Sequence, residues 1–264
     1  MIGLLWRVFW RAVGLFGLLL VGLLTLLVVY PACSNTGRCR IRQRWSKALL
    51  LICGVRVRSQ SLDRFEGQPP SLVVMNHVSW LDIFLLTSVQ PATFIAKSEI
   101  RRWPLVGWLV AGAGTLFIER ASRHAVRHVN RQIIHRMSCG EHVAFFPEGT
   151  TTDGRFVGPF HTSLFAAALP PHPHDVVVMA LQYQQHGGWS PKPAYIDDQT
   201  LLGSIYTILS TRGLSAELRV LEVLSVPETT LTRHQLAALT EQIVRSAVEE
   251  FYSSVCLPSW LVWI

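Results

Sequence analysis

From Ala12 to Tyr30 the chain carries no charged residue (AVGLFGLLLVGLLTLLVVY). About 20 such residues suffice for a helix to cross a hydrocarbon core roughly 30 Å thick, so the run predicts a membrane-anchoring helix. Trp6 and Trp10 precede it, where amphipathic rings favour a bilayer interface. Beyond Tyr30 the pattern changes: short β-branched runs alternate with longer stretches of helical period. The runs predict strands over 71–75, 93–96, 115–118, 142–146, 176–182 and 217–224. The helical stretches fall over 80–89, 104–111, 122–137, 161–169, 200–211 and 232–252, with a further helix around 45–53. Such alternation implies an α/β domain whose mostly parallel or mixed central sheet is flanked by helices. The expected division is 1–54 for the anchor with a basic juxtamembrane helix, and 55–264 for the domain.

Composition sharpens the anchor. Half the 264 residues are hydrophobic and only 16% are charged, and the mean hydropathy of +0.31 agrees. Arg7 and Arg11 could form the n-region of a cleaved signal peptide, and Cys33 follows the run at a lipoprotein-like distance, though the residues before it match a lipobox poorly. The basic cluster Arg38, Arg40, Arg42, Arg44 and Lys47 resists export, and it places the following domain on the cytoplasmic side by the positive-inside rule. A net charge of +7 suits an anionic partner: a membrane surface, an acidic protein, a phosphorylated ligand or nucleic acid. The five cysteines are odd in number, irregularly spaced and without a C-x-x-C pair, so neither a disulfide framework nor a zinc site is indicated.

Three polar blocks interrupt the apolar strands. Asn76-His77-Val78-Ser79-Trp80-Leu81-Asp82 lies between a strand and an apolar helix. A histidine at the carboxyl end of a strand stands where α/β sheets bind ligands, and a carboxylate behind it fixes its tautomer. Asp82 has a second reading, in which it completes a capping box with Ser79. Gly114-Thr115-Leu116-Phe117-Ile118-Glu119-Arg120 ends a strand in a guanidinium that suits a phosphate, or that is a surface arginine at a helix start. Phe145-Phe146-Pro147-Glu148-Gly149-Thr150-Thr151 runs a strand into a lone glutamate, which reads as a polar pocket floor or as a strand-terminating turn. On the helix after Arg120, the arginines at 123, 127 and 131 read as a solvated basic face or as a headgroup-binding one.

As a set, N-H-x-x-x-x-D, G-x-x-F-I-x-R and F-P-E-G-T resemble the blocks of the glycerolipid acyltransferase family. The likeness covers about 72–183 and continues more weakly to about 224. It implies an enzyme that moves a fatty acyl group from acyl-carrier protein or coenzyme A thioester to the free hydroxyl of a lysolipid, foremost 1-acyl-sn-glycerol-3-phosphate. It implies His77 as general base and Asp82 as its orienting carboxylate. Arg120, Glu148 and Gly149 fall in the acceptor site, with Thr150 and Asn76 assisting. No cofactor, metal or nucleic-acid partner is expected, an anionic membrane surface is, and the location implied is the cytoplasmic face of a bacterial inner membrane. The sequence departs from the family in two places: 176–181 lacks the usual proline, and His161 stands where a lysine is common. The lyso-ornithine-lipid branch, which shares F-P-E-G-T followed by a short D-G loop, is the alternative acceptor class. A hydrolase working through an acyl-enzyme has Ser79 and Cys139 as its tempting nucleophiles and no G-x-S-x-G elbow. A non-catalytic lipid-binding surface protein would explain the charge and the anchor, but not three polar blocks in register.

Overall fold

Continuous β-branched and apolar runs form strands that are buried on both faces, and in this chain they build the middle of one sheet. The computed structural model describes residues 2–119, 123–226 and 230–256. In chain order the elements are α1 (Ile2–Leu24), α2 (Asn35–Cys53), β1 (Arg56–Gln60), β2 (Leu72–Val74), α3 (Asp82–Val89), β3 (Thr93–Lys97), α4 (Val106–Gly112), β4 (Leu116–Ile118), α5 (Arg123–Ser138), β5 (Val143–Phe145), β6 (Val176–Gln185), β7 (Gly188–Trp189), α6 (Leu201–Ser210), β8 (Leu214–Leu224) and α7 (Arg233–Cys256). The strands lie in the order β1-β8-β6-β2-β5-β3-β4, with β7 also paired to β6. From β6 to β4 neighbours are parallel; β8 runs antiparallel to β6 and β1 parallel to β8, so the sheet is mixed.

The period of two divides the core. Val73, Met75, Val177, Met179, Leu181 and Tyr183 face α2, α3 and α6, while Leu72, Val74, Val143, Phe145, Val178 and Ala180 face α5 and α7. The strands with this two-sided burial are the ones the apolar runs predict.

Three expectations need correction. The stretch 161–169 forms only 3₁₀ turns, Ser163–Ala168; Pro170-Pro171 after it disfavour a helical Leu169 and stop any continuation. β1 lies outside the expected strands, because Arg56, Arg58, Ser59 and Gln60 are exposed on an edge strand that, among the described residues, pairs with β8 alone. The juxtamembrane helix is longer than the apolar stretch around 45–53 indicates: α2 starts at Asn35, where the Ser34 hydroxyl accepts from Gly37 N at 3.3 Å.

α1 likewise extends past its uncharged run and takes in Arg7 and Arg11. Together with the π and 3₁₀ turns that follow it, it makes an apolar helix, Ile2–Ala32, long enough to cross a membrane. It nonetheless lies against the domain at several points. Arg7 Nη2 donates to the Ser210 carbonyl at 2.6 Å, and Arg11 Nη1 to the carbonyls of Leu209 and Thr211 at 2.9 and 3.1 Å, satisfying the free end of α6. Trp45 Nε1 donates to the Leu18 carbonyl at 3.0 Å. A Cβ at Gly22 would come within 2.7 Å of Leu109 and 2.8 Å of Trp45, so only glycine allows α1 this close to α2 and α4.

Candidate active site

β2 ends at Val74, and two residues later Asn76 ties the exit to the next strand. Its side-chain amide donates to the Leu181 carbonyl at 3.0 Å and its oxygen accepts from Leu181 N at 2.9 Å. Asn76 is fully buried, and both polar ends are spent on β6 backbone. His77 follows, just beyond the carboxyl end of the sheet, with its side chain 19% exposed.

His77 is fixed on every side but one. Its Nδ1 lies 2.8 Å from Asp82 Oδ2; since an ionised carboxylate only accepts, Nδ1 carries the proton and Nε2 keeps its lone pair. Its ring stacks on Phe146 at 3.8 Å between centroids and 6° between planes. Its amide donates to Glu148 Oε1 at 2.7 Å, and its carbonyl accepts from Thr152 N at 2.8 Å.

Asp82 is 0% exposed, and a carboxylate so placed needs donors on both oxygens. Oδ2 accepts from Val78 N at 2.7 Å and Ser79 N at 2.9 Å as well as from His77. Oδ1 accepts from the Tyr183 hydroxyl at 2.7 Å. Oδ2 thus accepts from Ser79 N, as the capping reading requires, and also holds the imidazole, but the helix starts at Asp82 with Leu81 as its N-cap and no side-chain cap. The serine half of the box is not formed, because Ser79 Oγ accepts from Leu81 N at 3.3 Å instead.

Glu148 is 4% exposed and turns both oxygens onto backbone: Oε1 to His77 N, Oε2 to Gly158 N, each at 2.7 Å. Burial pushes its carboxyl up to about 7 against these two amide bonds, which lower it; the charges of Asp82 and Glu241 add to the rise. Gly149 takes φ +71°, a left-handed turn that glycine adopts without strain. Thr150 is exposed. Arg120 lies outside the described residues; β4, the strand before it, ends on the same side of the sheet as β2. The structure thus brings together His77, Asp82, Glu148, Gly149 and Asn76. Among the described residues no three His, Cys, Asp or Glu side chains converge on a metal position.

Sequence reasoning missed three contributors. Tyr183 reaches Asp82 from 101 residues away, and only strand pairing brings it there. Phe146 sits inside a recognised block, but nothing in its spacing shows that it stacks on His77. Phe94 continues that stack, 6.0 Å from Phe146, and also lines an apolar cavity of about 110 Å³ between the N-terminal helices and the sheet. Gly22, Leu26, Trp45, Phe84 and Leu109 complete much of the wall, so an aromatic path connects the histidine to an apolar chamber.

Comparison with known proteins shows the family and the fold. A family model described as Acyltransferase matches residues 56–183. A lyso-ornithine lipid O-acyltransferase of Pseudomonas aeruginosa is 35% identical over 250 residues, covering 92% of this chain and 93% of the relative. A 1-acyl-sn-glycerol-3-phosphate acyltransferase of Neisseria gonorrhoeae is 35% identical over 179 residues, covering 68% and 69%. The crystal structure of the 1-acyl-sn-glycerophosphate (LPA) acyltransferase PlsC from Thermotoga maritima superposes with a TM-score of 0.71 at 19% identity, covering 94% of this chain and 96% of that one; it shares the fold. With a relative matched over nearly its whole length and a family model spanning the polar blocks, this chain belongs to the acyltransferase family.

Proposed function

We propose that the enzyme transfers a fatty acyl chain from a thioester to the free hydroxyl of a lysolipid, with His77 as general base. The observation that carries this is the pairing of a part-exposed imidazole with a wholly buried carboxylate through Nδ1, which turns Nε2 toward whatever enters. Nε2 takes the hydroxyl proton as the oxygen attacks the thioester carbonyl. The C–O bond forms, the tetrahedral intermediate collapses, the C–S bond breaks, and the leaving thiolate receives the proton from the imidazolium. Asp82 stabilises that transient cation. Such a base contributes roughly 10²–10⁴-fold.

The remaining site residues take supporting parts. Glu148 holds the His77 amide, and Gly149 and Thr150 shape the acceptor mouth. Asn76 keys the motif to β6, and Arg120 supplies a guanidinium for an anionic headgroup. The acyl chain lies in the apolar cavity beyond Phe94. The donor is an acyl-carrier protein or coenzyme A thioester; both are cytosolic, and with the basic run 38–47 this puts the site at the cytoplasmic leaflet. α1 is held to α6 at its start and to α2 and α4 farther on. We read it as lying along that leaflet, its outward Trp6, Phe9, Phe16 and Leu24 side chains, with Leu27 of the π turn that follows, in lipid.

The first acceptor to test is 1-acyl-sn-glycerol-3-phosphate. Lyso-ornithine lipid is the second reading, favoured by the nearly full-length match to an enzyme named for it. Purified protein in detergent, given each acceptor with acyl-carrier-protein and coenzyme A thioesters of several chain lengths, should give diacyl product with one acceptor class. Turnover with neither, beside an active control enzyme, would overturn the lysolipid assignment.

A further inference from the structure

We infer that Tyr183 is a positioning residue of the reaction, acting through Asp82; the inference rests on His77 being the base. Asp82 Oδ2 has three donors from its own segment, 77–79, which travel with it. Oδ1 is held from outside that segment, by the Tyr183 hydroxyl at 2.7 Å. Rotation of the carboxyl about its Cβ–Cγ bond would exchange the two oxygens and break the line to Nδ1. Tyr183 blocks this by pinning the second oxygen to the sheet.

β6 makes the pin rigid. Its Leu181 backbone is bonded in both directions by the Asn76 side chain, and Tyr183 stands two residues on, with its ring facing the same core. At 2% exposure the phenol is out of solvent, where a hydrogen bond to an ion is stronger than in water. Burial and the Asp82 charge push its pKa well up, so it remains a donor throughout the working range. The titratable groups around Asp82 are His77 from its own segment, Glu148 from the loop after β5 and Tyr183 from β6; the Cys53 thiol of α2 also acts on Tyr183. Tyr183 is the member of this set that offers Asp82 a neutral side-chain donor.

Tyr183→Phe removes one oxygen and keeps the ring. Turnover should fall about 10-fold or more, the range for losing a hydrogen bond to a charged group, with both substrate KM values unchanged. The acid limb of kcat/KM should move to higher pH, because a carboxylate short of a donor takes up a proton more readily. Combined with Asp82→Asn, it should cost no more than Asp82→Asn alone, since its effect passes through that carboxylate. A folded Phe variant with unchanged turnover overturns the inference, as does a loss of turnover that adds to the Asp82→Asn loss and leaves the acid limb in place. If the Phe variant does not fold, 3-fluorotyrosine in place of the five tyrosines serves instead. Its more acidic phenol is a stronger donor, so the acid limb should move to lower pH, and an unmoved limb overturns the inference. His77→Ala is run alongside: full activity there would sink the base, whereas an inactive His77→Ala with a normal Tyr183→Phe sinks the role of Tyr183 alone.

Discussion

The corner around His77 and the long helix α1 are held by opposite means. At the corner, hydrogen bonds fix the imidazole edge, its backbone amide, its carbonyl and both oxygens of the buried acid. α1 buries 6% of its most apolar window and is tied down by a handful of donors and by glycines that allow close approach. A polar group taken out of water must find its partners inside the fold, which over-determines its position. An apolar side chain turned outward is satisfied by lipid and specifies only which surface it enters. On the proposed reading, chemistry is set at the corner and membrane location at the helix.

Breaking the corner should give the largest effects. His77→Ala is expected to lower turnover by about 100-fold or more without changing the melting temperature, as measured by acyl transfer and circular dichroism on the same preparation. Asp82→Asn is expected to cost nearly as much. An asparagine oxygen can still accept from Val78 N and Ser79 N, so those backbone bonds survive while support for the imidazolium does not. A large loss of stability with normal specific activity would instead make Asp82 structural only.

Glu148 sharpens the comparison through pH. Its folded pKa of about 7 lies above that of an unfolded glutamate, so its contribution to stability is complete below the ordinary carboxylate range. That contribution is lost as pH rises toward 7, and it amounts to roughly 3 kcal/mol for a shift of this size. Glu148→Gln should remove this slope. Denaturant midpoints of the two proteins between pH 4.5 and 8 test it, and parallel curves would show that the two amide bonds outweigh burial. A milder change is Phe146→Leu, which removes the stack on His77. The face-to-ring contact is worth about 0.5–1.5 kcal/mol, so turnover should fall about 2- to 10-fold with the pH profile retained.

The smallest catalytic effect is expected at the other region. Arg7→Ala with Arg11→Ala frees the start of α1 from the end of α6. Activity on acceptor dispersed in detergent should stay within about twofold, since these part-buried bonds tie α1 to α6 and touch no residue of the His77 corner, while activity on acceptor in vesicles should drop further. Equal losses in the two assays would mean that α1 supports the catalytic domain itself.

The same contrast explains what the sequence could convey. Asp82 lies five residues from His77, and local spacing carries that pairing. Strands such as 72–74 and 143–145 are legible because both faces are buried, leaving uninterrupted apolar runs. β1 shows no such run, because it is an exposed edge whose residues need only their backbone to pair. Tyr183 falls one residue past the strand expected over 176–182, and its partnership with Asp82 depends on how β6 registers against β2. Glu148 was legible as a polar residue at a strand exit, yet its acceptor-site reading arose from the resemblance. The geometry gives both its oxygens to amides that no spacing identifies.

The central claim is direct transfer: a hydroxyl activated by His77 attacks the thioester, and the enzyme itself is never acylated. The direct measurement is a rapid-mix experiment with enzyme in excess over acyl thioester, following free thiol and intact protein mass with and without lysolipid. Direct transfer predicts thiol release only when acceptor is present, at a rate matching product formation, and an unchanged protein mass. A burst of thiol equal to the enzyme concentration without acceptor, together with protein heavier by one acyl group, would contradict it.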